Sequence, residues 1–260
     1  MTAGERFEEL VRIMARLRAP GGCPWDREQT SASIKPYLIE EAYEVAEAIE
    51  QDDAPELCTE LGDLLLQIVF HAQMAAEAGR FTIEDVVQAI CDKMVRRHPH
   101  VFGDVEVQDA NEVLRNWARI KAEERQDKPD RSTVAGVPRA LPSLLRAHRL
   151  GEKASHVGFD WDGARQVMEK VREELAELDA AIAAGDVQQT EAELGDVLFA
   201  LTSVGRHLDL HAEDALHGAS DRFIHRFRYI EDRLAAQQRQ VSEATLDELN
   251  ALWEEAKRAP

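Results

Sequence analysis

Basic residues are scarce beside acidic ones: 31 Lys and Arg face 50 Asp and Glu, for a net charge of −19. That imbalance disfavours non-specific binding to nucleic acid or to an anionic membrane, so neither is expected as a partner. A phosphorylated ligand would meet the same repulsion unless a divalent cation bridged protein carboxylates and phosphate oxygens. Cysteine is also sparse. Cys23, Cys58 and Cys91 are odd in number, contain no Cys-x-x-Cys pair and all lie in the first half, which argues against a disulfide framework or a zinc site. No apolar run approaches a membrane span. The opening "MTAGERFEELVRIMARL" alternates charged and apolar residues at helical spacing, without the apolar stretch of a signal peptide, so a cytoplasmic location is expected. Runs of alternating β-branched residues are nearly missing, and helical periodicity dominates, so the expected fold class is all-α.

With 260 residues and 44% apolar content, the chain is long enough for two ordinary domains. The periodicity predicts helices over about 4–18, 33–51, 54–78, 82–97 and 109–125, then about 142–154, 163–184, 187–208, 211–235 and 245–258. Between these sets "QDKPDRSTVAGVPRALP" concentrates Pro129, Pro138, Pro142 and Gly136 among polar residues. The expected division is therefore an N-terminal helical domain over 1–125, a linker over 126–142 and a C-terminal helical domain over 143–260.

The halves look like a duplication. "EEAYEVAEAIEQDDAPELCTELGD" (40–63) and "EELAELDAAIAAGDVQQTEAELGD" (173–196) both give Glu-Glu-x-x-Glu and, after the same gap, Glu-Leu-Gly-Asp. Upstream, "GGCPWD" answers "VGFDWD", each placing a tryptophan, Trp25 or Trp161, before the first carboxylate helix. On a helical wheel Leu38, Ala42, Val45 and Ile49 form one apolar stripe with Glu41 and Glu44 along its edge, while Glu40 points away. Val171, Leu175, Leu178 and Ile182 repeat the stripe, with Glu174 and Glu177 on the edge and Glu173 turned away. In the next helix of each half, Leu61, Leu65 and Ile68, then Leu194, Leu198 and Leu201, form the stripe. Glu60 and Asp63, then Glu193 and Asp196, border it.

Antiparallel packing of each pair through these stripes would bring four carboxylates together. Such a group repels itself unless protons or a cation neutralise it, and an oxygen-only ligand set suits Mg²⁺ or Mn²⁺. The candidate sites are Glu174, Glu177, Glu193 and Asp196, and second Glu41, Glu44, Glu60 and Asp63. Gly62 and Gly195, inside predicted helices, are expected where a backbone or ligand comes close. In a chain this acidic, a single Glu-x-x-Glu is more simply a solvated helix border; the full pattern found twice argues against that. A di-iron bundle needs Glu-x-x-His, and none of the nine histidines has Glu three residues before it, so iron is not expected.

These motifs resemble the MazG family of nucleoside triphosphate pyrophosphohydrolases, marked by Glu-Glu-x-x-Glu followed by Glu-x-x-Asp. The likeness extends through "GGCPWDREQT", "YLIEEAYEV", "ELGDLLLQIVFHAQMA", "RRHPHVFGD", "VGFDWD", "ELGDVLFA" and "DRFIHRFR", nearly the whole chain, in the two-domain form. The resemblance implies an all-α fold of two tandem MazG-like helical-bundle domains and a homodimer. It also implies Mg²⁺ dependence and hydrolysis of nucleoside triphosphates to monophosphate and pyrophosphate, in nucleotide-pool cleansing or control of nucleotide levels. It assigns Glu174, Glu177, Glu193 and Asp196 to the metal, and Lys170, Glu173, Arg222, Arg226, Trp253 and Lys257 to the nucleotide, with the C-terminal half as the main catalytic unit. Read on their own, Arg222 and Arg226 could equally pair with Asp221 or Glu231. Trp253 shares the apolar side of a terminal helix with Leu249 and Leu252 and could be core. The competing class is a non-enzymatic helical module that binds nucleotides or proteins.

Overall fold

A computed structural model describes residues 1–124 and 130–258; the expected helix end at 125, the linker stretch 126–129 and residues 259–260 lie outside the described residues. In chain order the helices are α1 (Ala3–Arg18), α2 (Pro24–Glu28), α3 (Lys35–Glu50), α4 (Ala54–Glu77), α5 (Ile83–Arg97) and α6 (Pro99–Phe102). There follow α7 (Ala110–Glu123), α8 (Ser143–Ser155), α9 (Ala164–Ala184), α10 (Val187–His207), α11 (Ala212–Ala235) and α12 (Leu246–Ala256), with a short 3₁₀ turn at Val241–Glu243. Among the described residues there is no strand. Each of the ten expected helices is present. Only α2, α6 and the 3₁₀ turn were not anticipated, each being too short to carry a periodic pattern.

Local chemistry explains the helix starts. Thr2, Thr82 and Thr245 close capping boxes with Glu5, Asp85 and Glu248. Proline occupies the first turn of α2, α3, α4 and α6, where no backbone donor is lost.

The chain forms two compact units, 1–114 and 115–260. In the first, Met14 of α1, Ile34, Val69, Phe70, Ala72 and Met74 of α4, and Ile83 make a buried core flanked by Phe7, Leu10, Val11, Leu17, Leu66 and Val86. Arg18 lies over the Phe70 ring, 5.4 Å from its centroid, and pairs with Glu77 at 2.7 Å. In the second, the carboxylate of Asp160, in the "VGFDWD" loop before α9, receives Arg206 Nη1 at 2.8 Å and lies 3.0 Å from His207 Nε2, fastening that loop to the C-terminal end of α10.

Each unit is organised around one helical hairpin, α3 with α4 and α9 with α10. Both turn in the same way: Asp52 and Gly185 hold the left-handed conformation (φ 53° and 70°), and Asp53 and Asp186 then cap the second helix by accepting from the backbone N–H of Glu56 and Gln189. The left-handed residue costs glycine little and aspartate more, so the second turn is the less strained.

The packed faces differ from the expected stripes. One face of α9 is buried or half-buried at Val167, Val171, Glu174, Leu178 and Ala181, and one face of α10 at Glu193, Val197, Ala200 and Val204, with Thr202 and Ser203 of α10 buried beside it. In the first hairpin the same positions are Ile34, Leu38, Glu41, Val45 and Ala48, against Glu60, Leu64, Gln67 and His71. The steps alternate between four and three residues, a seam narrower than a full amphipathic face. A glutamate is thus part of each seam instead of bordering it. The expected stripe residues Leu175, Ile182, Leu194, Leu198 and Leu201, with Ile49, Leu61, Leu65 and Ile68, are exposed. The reason is that each hairpin has two apolar faces, and the seam takes the one carrying the small residues Ala48, Ala181 and Ala200, which let the helices approach.

Candidate active site

The seam brings three carboxylates of the second half together. Glu174 and Glu177, one turn apart on α9, face Glu193 on α10, with one oxygen from each within 4.8 Å of the others. Glu174 and Glu193 are 7% and 8% exposed, so their charges are largely withdrawn from water. Each is held by a neighbour on its own helix. Lys170 Nζ lies 2.7 Å from Glu174 and 2.8 Å from Glu173, and the Gln189 amide donates to Glu193 Oε1. Burial, then Glu174, then Glu193 raise the pKa of Glu177 above the usual carboxylate value, while the hydrogen bonds that Lys170 donates to Glu173 and Glu174 raise its own. Asp196, one turn beyond Glu193 and exposed, is outside the group of three that meets within this distance.

The first half repeats the arrangement at matching positions: Glu41 and Glu44 on α3 meet Glu60 on α4 within the same 4.8 Å, again without Asp63. Burial, then Glu60, then Glu41 raise the pKa of Glu44; burial, then Glu56, then Asp63 raise that of Glu60. The donor sets are hard oxygens only, and the carboxylates of each set repel one another. The residues present therefore fit a small divalent cation such as Mg²⁺ or Mn²⁺. A Cβ at Gly62 or Gly195 would meet nothing within 4 Å, so of the two expected approaches, backbone or ligand, that of another part of the chain is not what demands glycine there.

The candidate nucleotide residues fall into two groups. Lys170 and Glu173 adjoin the carboxylates on α9. Arg222 and Arg226 of α11 and Lys257, just past α12, line a cleft of about 160 Å³ with His225 and Ala256. Arg226 lies over the Trp253 ring, 5.5 Å from its centroid, and Phe223 packs against the same ring at 5.2 Å. Trp253 is thus half-buried between α11 and α12 rather than enclosed in a core. Neither Arg222 nor Arg226 forms a salt bridge among the described residues; Lys257 pairs with Glu254 at 2.5 Å. Among the described residues no hydrogen bond, ion pair or ring contact joins this cationic group to the carboxylates. Sequence reasoning missed Gln189, which follows the helix-capping Asp186 and lies one turn before Glu193; that spacing is the signal that could have found it.

An all-α protein with two alike units, each carrying a carboxylate triad on a helical hairpin, is the class that fold and site define. The family model for the MazG nucleotide pyrophosphohydrolase domain matches it twice, over residues 29–102 and 163–230. The chain is 45% identical over 256 residues to the nucleoside triphosphate pyrophosphohydrolase of Escherichia coli K12, covering 97% of each chain. It is 45% identical over 255 residues to the nucleoside triphosphate pyrophosphohydrolase/pyrophosphatase MazG of Thermotoga maritima, covering 98% of this chain and 97% of that one. To the uncharacterized protein YabN of Bacillus subtilis 168 it is 44% identical over 252 residues, 96% of this chain and 51% of that protein. The chain belongs to the MazG nucleotide pyrophosphohydrolase family.

Proposed function

We propose that this protein is a nucleoside triphosphate pyrophosphohydrolase that uses a divalent cation, Mg²⁺ or Mn²⁺, and works through Glu174, Glu177, Glu193 and Asp196 of its second half. The observation that carries this reading is the buried pair Glu174 and Glu193, held in place by Lys170 and Gln189 with Glu177 at its mouth, in a chain whose full-length relatives bear that name. Buried carboxylates gathered this closely cost stability, and a fold keeps them where they hold an ion.

A divalent cation bound there would draw charge off the scissile phosphoanhydride and the departing pyrophosphate. The chain's own residues orient the rest. Lys170 and Gln189 fix the rotamers of Glu174 and Glu193, so the ligand oxygens are arranged before substrate arrives. Arg222, Arg226 and Lys257 offer phosphate-binding cations, and Trp253 offers a partly open ring face to a base. Water forms the new bond to phosphorus as the bond between the α- and β-phosphates breaks, giving monophosphate and pyrophosphate and releasing a proton. The exposed leucine face of Leu194, Leu198 and Leu201, with Leu175 beside it, supports assembly as a homodimer. Nucleotide-pool cleansing, or control of nucleotide levels, in the cytoplasm follows as the expected role.

Product analysis tests the activity: the purified chain is incubated with a panel of NTPs and dNTPs, with Mg²⁺ and after chelation. Monophosphate and pyrophosphate in equal amounts, lost on chelation, are expected. Absence of turnover with every triphosphate would overturn the reading and favour the binding module.

A further inference from the structure

The two carboxylate clusters have different surroundings. Position by position, Glu41, Glu44 and Glu60 match Glu174, Glu177 and Glu193, but Tyr37 stands where the second half has Lys170, Glu56 where it has Gln189, and Gln67 where it has Ala200. Gln67 is 8% exposed and directed into the first cluster: its Nε2 donates to Glu41 Oε1 at 3.3 Å, while its own Oε1 is buried with no hydrogen-bond partner. A buried amide oxygen without a partner is a costly arrangement that folded proteins avoid. A half-turn about the terminal torsion of Gln67 exchanges its nitrogen and oxygen and sets the carbonyl oxygen against the carboxylates. That arrangement is favourable only with a cation between them.

We propose that Gln67 is an oxygen ligand for a divalent cation held by Glu41, Glu44 and Glu60. This gives the first half an ion site made of protein oxygens alone, whereas the second half depends on phosphate oxygens to complete its ion's coordination. The contrast rests on the triphosphate reading of the second half; the Gln67 site does not. Ala200 offers no donor, so the second cluster has an open place on that side. The first cluster instead lacks an ammonium like that of Lys170 and gains the carboxylate of Glu56 one turn before Glu60, so it favours a bare cation and repels a triphosphate. The first half thereby holds metal without substrate.

Mn²⁺ titration of the full chain, stripped with a chelator and free of nucleotide, tests this by electron paramagnetic resonance. One tightly bound Mn²⁺ per chain is expected. Gln67→Met, which keeps the volume and removes the oxygen, should weaken it by about tenfold or more. Gln67→Glu should bind at least as tightly as the parent, Glu60→Gln should abolish the tight ion and Glu193→Gln should leave it. Circular dichroism of the metal-free variants checks that each is folded. Gln67→Met affinity within about twofold of the parent, weakened binding in Gln67→Glu, or loss of the tight ion in Glu193→Gln would each overturn the proposal. Adding a non-hydrolysable triphosphate analogue should recruit a second Mn²⁺, sensitive to Glu193→Gln. Failure of that step alone would count against the triphosphate reading and leave the Gln67 site standing.

Discussion

Replacing Asp160 by Asn tests how the loop before α9 is anchored. The carboxylate accepts from Arg206 Nη1 at 2.8 Å, from Arg206 Nη2 and from the Trp161 backbone N–H at 2.9 Å, and it lies 3.0 Å from His207 Nε2. Arg206 has few other options, because its Nε is already buried without a partner. An amide keeps one acceptor but no charge. It leaves a mostly buried guanidinium facing a neutral group, and hydrogen bonds to charged groups are worth about 1.5–3 kcal/mol each. Two such bonds are weakened, and partial exposure of the site screens the loss, so about 3 kcal/mol is expected. For a chain of this size that corresponds to a fall in Tm of about 6–12 °C. The hydrogen bonds from Arg206, outweighing burial, hold the Asp160 pKa below its ordinary 3.8. A depressed carboxylate stabilises the fold fully above its unfolded pKa and loses that contribution as pH falls through its folded value. The gap between parent and variant should therefore be present at pH 7 and close as pH falls below the ordinary carboxylate value of 3.8. Chemical denaturation across this range is the assay. A gap under about 1 kcal/mol at pH 7, or one unchanged in acid, would refute the reasoning.

Val167→Ala, at a position with 0% exposure in the α9 seam, should cost about 2 kcal/mol by denaturant unfolding. Leu198→Lys, on the exposed face of α10, should shift sedimentation toward monomer without lowering helical content, because the residue is 43% exposed within the chain. Glu248 is held at about 2 by hydrogen bonds from Arg239 first and the Thr245 backbone N–H next. Arg239→Ala should bring its titration, followed by carboxyl chemical shift, back toward 4.5. The stability gained from that depression is present above about pH 4.5 and fades as pH falls toward 2.

The long helices were legible because each carries several turns of periodic pattern and most have a capping Thr, Asp or Pro at the start. The paired motifs were legible for a different reason: a spacing kept twice in one chain marks a shared geometry. The seam itself was misjudged, because a helical wheel ranks faces by bulk of apolar side chains. The hairpins pack instead along a seam of alanine, valine, a glutamate and, of the leucines, Leu38, Leu64 and Leu178, leaving Leu61, Leu65, Leu175, Leu194, Leu198 and Leu201 outward. Local partners of Glu174 and Glu193 made that burial tolerable, and a wheel does not weigh them. Gln67 was hidden within the apolar run "ELGDLLLQIVF", where a lone amide reads as an interruption rather than as part of a site. The grouping of Trp253 with Arg226 and Phe223 depends on α11 meeting α12, a tertiary fact that spacing along one helix does not encode.

The most direct test of the central claim is pyrophosphate release from a triphosphate in saturating Mg²⁺, measured side by side for the parent, Glu193→Gln and Glu60→Gln. On the proposed assignment of Glu193 as a cation ligand and of the second half as the catalytic one, a fall of about a hundredfold or more is expected for Glu193→Gln and a much smaller one for Glu60→Gln. The opposite ranking would contradict the assignment of catalysis to the second half.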